Sequence, residues 1–127
     1  MQPTGRARPD FAADRISSSA SLPNVVRGLS EILGKKLTAY VAGVTDTNEV
    51  DRWMLSPEGC LAGQRLRRAY LVALTLRETD DARVVQAWFT GLNPELDDCS
   101  PLRMLAEGSE DDARAVLGVA RSFRAIG

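Results

Sequence analysis

The sequence contains no histidine, and this absence removes the Ser-His-Asp and Cys-His arrangements of nucleophilic catalysis together with the commonest neutral metal ligand. The two cysteines, Cys60 and Cys99, form no C-x-x-C pair, so neither a zinc site nor a disulfide framework is indicated. Gly-rich phosphate-binding motifs of the G-x-x-x-x-G-K-[ST] or G-x-G-x-x-G type are also missing. We therefore expect a protein that is not an enzyme, with no catalytic residues, no metal and no cofactor.

Long hydrophobic runs are missing as well. The longest apolar run, residues 69–74, is far shorter than the roughly 20 residues that a membrane-spanning helix needs. The N-terminus does not have the pattern of a signal peptide. Together with two unpaired cysteines, which suit a reducing compartment, these absences predict a cytoplasmic protein that does not interact with membranes.

The chain as a whole is nearly neutral, but its two parts differ in charge. The net charge is −1, with 16 basic and 17 acidic residues, and only two of the basic residues, Lys35 and Lys36, are lysines. Residues 22–70 carry seven basic and five acidic residues, whereas residues 71–127 carry six and ten. A weakly basic first part and an acidic second part suit a half that faces DNA and a half that faces a protein partner.

The first 20 residues differ in composition from the rest of the chain. They contain prolines, a glycine and the run Ser17–Ser19, and apolar residues do not recur there at helical spacing. We expect a flexible tail over residues 1–20 that orders only on a partner. Arg6 and Arg8 lie in this tail and could reach a DNA minor groove, as the arms of some helix-turn-helix domains do.

Helical spacing begins at Leu22. Apolar residues then recur every three or four positions as far as Leu33, which predicts an amphipathic helix. Ser21 is the expected N-cap of this helix, and Gly34 is the expected residue after its end.

Two short helices separated by a glycine turn are expected next. The first covers about residues 37–42, and Gly43 permits the tight turn that follows. Asp46 is the expected N-cap of the second, with Glu49 three residues later as in a capping box. This order is the helix-turn-helix pattern.

The helix that begins at Asp46 is the candidate DNA reader. If Val50 and Trp53 point into the core, the opposite face can enter a major groove, where Asn pairs with adenine and Arg with guanine. The outward residues are Thr47, Asn48, Asp51 and Arg52. Basic side chains on neighbouring segments could contact phosphates and fix the docking register. These are Lys35, Lys36, Arg65, Arg67 and Arg68.

Carboxylates on the same helix weaken this hypothesis. Asp46, Glu49 and Asp51 lie on one short helix, and the phosphate backbone of DNA repels them. A helix-turn-helix that is kept only as a dimerisation or packing scaffold is therefore an open alternative.

A long helix is expected over about residues 61–78, after the break at Pro57-Glu58-Gly59. It carries apolar residues on two faces, so it is either central to its domain or buries one face in a partner. We expect a homodimer, because a second copy can cover the second face and two-fold symmetry matches a palindromic operator.

Three further helices are expected in the acidic part of the chain. Asp80 or Asp81 caps the first, and Ser100 precedes the second, which Gly108 ends. Ser109, with Asp112 three residues later, caps the last helix to about residue 126. No alternation typical of a strand appears, so the predicted fold is all-α.

The stretch from Trp88 to Leu96 carries the most specific pattern, W-x-x-G-x-N-P-x-L, followed by the short helix from Ser100 to Gly108. This order resembles the C-terminal half of the Xre/MbcA/ParS-type antitoxins, which pair an Xre-like helix-turn-helix with a small toxin-binding domain. The helix-turn-helix segment is similar to the other half of that family. The resemblance covers about Val25 to Gly108, roughly two thirds of the chain.

The resemblance implies that the C-terminal part docks a cognate toxin, typically an NAD-degrading enzyme of the RES type, and that the C-terminal tail can plug the toxin's active-site entrance. The candidate toxin-binding residues combine an aromatic anchor, an acidic surface that could steer toward a basic toxin face, and the tail. They are Trp88, Asn93, Glu95, Asp97, Asp98, Arg121, Phe123 and Arg124. The residues also have a purely structural interpretation. Trp88 then anchors the end of a helix, Phe123 completes the apolar stripe of the last helix, and the acidic loop is a solvated surface.

The expected organisation is a tail over residues 1–20, an Xre-like helix-turn-helix domain with a long central helix over residues 21–79, and an antitoxin-like helical domain over residues 80–127. The expected function is that of an antitoxin in a type II pair, which neutralises a RES-like toxin and represses its own operon by binding double-stranded operator DNA. The alternatives are a stand-alone DNA-binding transcriptional regulator, with phage as one source, and a dimeric scaffold that has lost DNA binding.

Overall fold

The computed structural model describes residues 9–126 of the chain, with the side chains of residues 12–124. Over this range eight α-helices and one short 3₁₀ helix (Pro94–Leu96) follow one another, without a strand. The all-α fold predicted from the sequence is confirmed. The helices are α1 (Pro9–Ser19), α2 (Leu22–Leu33), α3 (Lys35–Ala42), α4 (Thr47–Trp53), α5 (Gly63–Arg77), α6 (Ala82–Thr90), α7 (Pro101–Glu107) and α8 (Glu110–Ile126).

Helix α1 corrects the expectation of a tail without regular structure for residues 9–19, the part of that segment that it covers. Its contacts are tertiary: Ala13 and Ser17 are buried, and Arg67 of α5 donates hydrogen bonds to the carbonyls of Ser17 and Ala20. Because the buried residues are small and the bonds come from a distant helix, α1 shows no apolar stripe in the sequence. Arg6 and Arg8, the predicted minor-groove arm, lie outside the described residues.

Helix α2 has the boundaries that its sequence predicts. The hydroxyl of Ser21 accepts a hydrogen bond from the Asn24 amide at 3.3 Å, and the chain leaves the helix at Gly34 with a φ of 90°. All five residues of the predicted stripe from Val25 onward are buried: Val25, Val26, Leu29, Ile32 and Leu33. This helix supplies one wall of the core.

Helix α5 is the central helix of the fold. It packs against α1, α2, α3, α7 and α8, and it buries residues on both of the faces that the sequence shows to be apolar. Val72 and Leu76 of its second apolar face are therefore buried within the chain. A second copy of the protein is not needed to bury α5, although the homodimer stays a prediction.

The C-terminal helices begin and end at the residues that the sequence predicts. Asp81 accepts a hydrogen bond from the Val84 amide at the start of α6. At the start of α8, the Asp112 amide donates to the Ser109 hydroxyl at 3.2 Å and the Ser109 amide donates to the Asp112 carboxylate at 2.9 Å. This reciprocal pair is a complete capping box.

The buried apolar core is continuous from α2 to α8, so residues 21–79 and 80–127 contribute to one core. Phe89 of α6 and Val116 of α8 lie in the same cluster as Leu29 of α2 and Leu66 of α5. None of the helices within residues 9–126 is long and apolar enough to cross a membrane.

Candidate functional site

The helix-turn-helix segment consists of α3, a turn over residues 43–46, and α4. Gly43 has a φ of 82°, a left-handed conformation that glycine adopts without strain. Asp46 caps α4 by accepting a hydrogen bond from the Asn48 amide at 2.9 Å. Val50 and Trp53 are buried as the sequence predicts, and they anchor α4 to the core.

The predicted outward residues of α4 reach solvent to different degrees. Asn48 and Arg52 are exposed, whereas Thr47 and Asp51 are half-exposed. Lys36 of α3 lines the same open groove as Thr47, with a volume of about 440 Å³. The structure therefore places one predicted phosphate-contacting lysine beside the start of α4.

Two ion pairs cross this surface. The ammonium of Lys35 at the start of α3 lies 2.6 Å from the Asp51 carboxylate of α4. The guanidinium of Arg52 is paired with Glu49 one turn earlier on α4. The Asp46 side chain accepts from the Asn48 amide, and the Glu49 carboxylate binds Arg52, so Asp46 is an N-cap and the expected capping box with Glu49 is not formed. Lys35 and Arg52 are thus held by carboxylates of α4, whereas Lys36 lines the groove beside the start of that helix.

Arg65 supports the turn of the helix-turn-helix from α5. Its Nε donates to the Val41 carbonyl and its Nη2 donates to the Ala42 carbonyl, each at 3.0 Å. These carbonyls lie in the last turn of α3, where backbone acceptors lack helical partners and where a positive charge is favourable. Arg65 therefore has a structural role, and its contact with phosphate stays a prediction.

Arg67 and Arg68 contact two other helices. Arg67 Nη1 donates to the carbonyls of Ser17 at 3.0 Å and Ala20 at 2.6 Å, at the end of α1. Arg68 forms an ion pair of 2.7 Å with Glu110 at the start of α8. The three neighbouring arginines of α5 thus bind α3, α1 and α8 separately. Their joint action as a phosphate-binding cluster stays a prediction and competes with these bonds.

Trp88 and Phe123 lie together on the surface of the C-terminal half. Their ring centroids are 6.3 Å apart, and the Trp88 ring also contacts Phe89 edge to face at 5.6 Å. Phe89 is fully buried, Trp88 is half-buried and Phe123 is 38% exposed. The aromatic series therefore runs from the core to the surface, and Leu92, two residues after the end of α6, is 75% exposed.

The loop over residues 93–99 carries the predicted acidic surface. Glu95, Asp97 and Asp98 are exposed, and the two aspartates have positive φ values of 56° and 63°. Consecutive left-handed residues other than glycine are uncommon, although aspartate tolerates this conformation better than most. Asn93 closes the loop, because its side chain accepts from the Glu95 amide at 2.9 Å and its own amide donates to the Cys99 carbonyl at 3.1 Å.

The predicted tail residues of α8 differ in their surroundings. Arg121 forms an ion pair with Asp14 of α1 at 3.5 Å, and Arg124 is half-buried near the helix end. The side chains of residues 125–127, the end of the proposed plug, lie outside the described part of the chain. Of the predicted toxin-binding residues, the structure brings Trp88 and Phe123 into contact.

A contact between Tyr40 and Glu107 was not predicted from the sequence. The Tyr40 hydroxyl donates to Glu107 Oε2 at 2.8 Å and so joins α3 of the helix-turn-helix to α7 of the C-terminal half. The two residues line a cleft of about 230 Å³ together with Ala106 and the turn after α3. The two residues lie 67 positions apart in the chain, so local spacing carries no signal for this bond.

Thiols and carboxylates do not assemble a metal centre in the described part of the chain. Within residues 9–126, no group of three or more such side chains is placed to hold a metal ion. Cys60 and Cys99 are free and half-buried.

The chain was also compared with known proteins. No protein family, no curated protein and no solved structure matches it.

Proposed function

We propose that this chain is an antitoxin that binds and neutralises a protein toxin through its C-terminal half and represses its own operon through α3 and α4. The observations that carry the proposal are the partly exposed Trp88–Phe123 pair and the exposed acidic loop that follows α6 in the chain. The proposal places the protein in the cytoplasm, as a homodimer on two-fold symmetric operator DNA.

The aromatic pair has the chemistry of a protein-binding anchor. Large aromatic side chains supply much contact area for few rotatable bonds, and they are enriched among the residues that dominate binding energy. Trp88 is fixed by Phe89 and Phe123, so little side-chain freedom is left to lose on binding. An aromatic centre that is already ordered supports a docking role for this surface.

The acidic loop supports a partner with a basic rim. Glu95, Asp97 and Asp98 are exposed on one short loop, and charge of one sign at the edge of an interface steers an oppositely charged partner. The RES-type toxin is proposed because of the family resemblance, whereas the basic rim of the partner is proposed because the loop is acidic.

Growth rescue tests the proposal. The reading frame next to this gene is expressed as the toxin, together with the wild-type chain or with the Trp88→Ala, Phe123→Ala double variant. The wild type should restore growth, and the double variant should lose rescue while circular dichroism shows unchanged helicity. Leu61→Ala is the matched control, because Leu61 is a fully exposed leucine in the α4–α5 loop. Rescue by the double variant at wild-type level would contradict the aromatic docking surface.

Bonds within the chain favour a second candidate, a dimeric scaffold that has lost DNA binding. Arg65, Arg67 and Arg68 each bind another helix of the same chain, so they are less available to phosphate. Fluorescence anisotropy on the upstream DNA and on a scrambled duplex, at two salt concentrations, separates the candidates. Tighter binding to the upstream DNA that weakens steeply with salt supports a repressor. Equal or absent binding, with a dimer in analytical ultracentrifugation, supports the scaffold.

A stand-alone transcriptional regulator is the remaining alternative. It shares operator binding with the antitoxin but needs no toxin. A protein that binds its upstream DNA, and whose neighbouring reading frame is not toxic, would favour this alternative.

A further inference from the structure

Two of the cations on the surface around α4, Lys35 and Arg52, are paired with carboxylates of that helix. Lys35 contacts Asp51 at 2.6 Å, and Arg52 contacts Glu49. Asp46 adds a third carboxylate at the start of the same helix. A surface that is meant to read DNA would ordinarily leave its cations free for phosphate.

Both pairs are open to solvent. The side chains of Lys35 and Asp51 are 51% and 47% exposed, and those of Arg52 and Glu49 are 59% and 35% exposed. Ion pairs this exposed contribute little to folding stability, because water and salt screen them. Stability alone therefore does not account for them, and their main effect is on the charge that a ligand meets.

The pairs oppose DNA binding in either of two arrangements. If Lys35 and Arg52 stay paired, they neutralise no phosphate and few counterions are released. If they leave their partners, Asp51 and Glu49 are left uncompensated in front of the phosphate backbone.

We propose that Asp51 and Glu49 are intramolecular competitors for DNA phosphate, which hold Lys35 and Arg52 and thereby set a low affinity of the α3–α4 surface for DNA. This inference rests on the DNA-binding part of the proposed function. It assigns the carboxylates of α4 a role in setting the affinity for DNA, whereas the sequence alone suggests only that they repel the phosphate backbone.

Anisotropy titrations of the full chain on its upstream duplex, between about 50 mM and about 200 mM salt, test the inference. Asp51→Asn and Glu49→Gln keep the shape of each side chain and release one cation each. Each variant should bind about three- to tenfold more tightly at the lower salt concentration, and the slope of log K against log salt should steepen by about 0.9 for each released cation.

Lys35 provides the specific readout. Lys35→Met should weaken DNA binding strongly in the Asp51→Asn background and only slightly in the wild-type background. A general change in net charge would not produce this dependence of one residue on the other.

Asp46→Asn is the matched control. Asparagine caps a helix about as well as aspartate, so the variant removes a carboxylate from α4 without releasing Lys35 or Arg52. The slope of log K against log salt should stay at the wild-type value. An equal change of slope in Asp46→Asn and Asp51→Asn would overturn the inference in favour of net charge alone.

The remaining outcomes separate this inference from the proposed function. If the wild type binds the upstream duplex and Asp51→Asn binds it no more tightly, competition is overturned while DNA binding stands. If neither protein binds, both the competition and the DNA-binding part of the proposed function are overturned. The growth-rescue test of toxin binding is independent of either result.

Discussion

Tyr40 and Glu107 shift each other's pKa in opposite directions across the seam between α3 and α7. The hydrogen bond from the Tyr40 hydroxyl lowers the pKa of Glu107, and a second bond from Arg103 acts in the same sense. Accepting that bond, the Glu107 carboxylate raises the pKa of Tyr40, and burial of the hydroxyl adds to the effect. The bond therefore favours the ionised carboxylate and the neutral phenol.

Removing the Tyr40 hydroxyl should make stability less dependent on pH in the acid range. The folded-state pKa of Glu107 lies below its ordinary value of 4.5, so its contribution is present above that pH and is lost as the pH falls through the lowered pKa. Tyr40→Phe should have a lower free energy of unfolding than the wild type near neutral pH, and the difference should shrink on acidification. Urea unfolding between about pH 6 and about pH 3 measures it.

Glu107→Gln is the control for that titration. Glutamine still accepts a hydrogen bond from Tyr40 but does not ionise, so this variant should lack the acid-dependent loss. A difference between wild type and Tyr40→Phe that stays constant over the whole pH range would contradict the coupling.

Replacing Arg67 should loosen α1. Methionine keeps much of the aliphatic length of arginine but donates no hydrogen bonds, so Arg67→Met leaves the carbonyls of Ser17 and Ala20 without this donor. We expect a loss of about 2 kcal/mol in the free energy of unfolding and faster amide exchange in α1. Hydrogen exchange resolved along the chain measures both effects.

Arg114→Met is the matched control, because Arg114 is a well-exposed arginine of α8 paired with Asp111. It should cost less than about 1 kcal/mol and leave exchange in α1 unchanged. Equal exchange of α1 in wild type and Arg67→Met would show that Arg67 does not fasten this helix. A charge reversal at Arg67 would therefore disturb α1 as well as any contact with phosphate, so the exchange of α1 has to be measured in the same variant.

Two glycines should respond to alanine in opposite directions. Gly43 has a φ of 82°, and a Cβ there would lie 3.2 Å from Arg65 Nη2, so Gly43→Ala should destabilise by about 1–2 kcal/mol. Gly118 lies inside α8 with open space at its Cβ position, so Gly118→Ala should stabilise by about 0.5–1 kcal/mol. Urea unfolding of both variants checks the signs, and a stabilising Gly43→Ala would contradict the left-handed turn.

Ser109 should contribute measurably to the stability of α8, because its side chain caps the start of this helix. Ser109→Ala removes the hydroxyl that accepts from the Asp112 amide, which should lower the free energy of unfolding by about 1 kcal/mol. Ser122→Ala is the control within the same helix, since Ser122 is exposed and alanine favours helix. Equal stabilities of the two variants would indicate that the cap does not hold α8.

The sequence by itself determined where most helices begin and end. Helix caps act through bonds within four residues, so they can be predicted without the rest of the chain. The starts of α2, α4 and α8 were predicted in this way, from Ser21, Asp46 and Ser109. Apolar spacing likewise identified the buried faces of α2 and α5, because a helix places residues three and four apart on one side.

The tertiary structure alone decided which side chains meet. Arg65, Arg67 and Arg68 look like one basic cluster in the sequence, but successive helix positions point in different directions, and each reaches a different helix. The small residues of α1 gave no stripe, so only the packing on α5 revealed that helix. Tyr40 and Glu107, like Trp88 and Phe123, come together because of how the helices pack. Spacing along the chain encodes local faces and ends, whereas contacts between distant residues depend on the packing of the whole core.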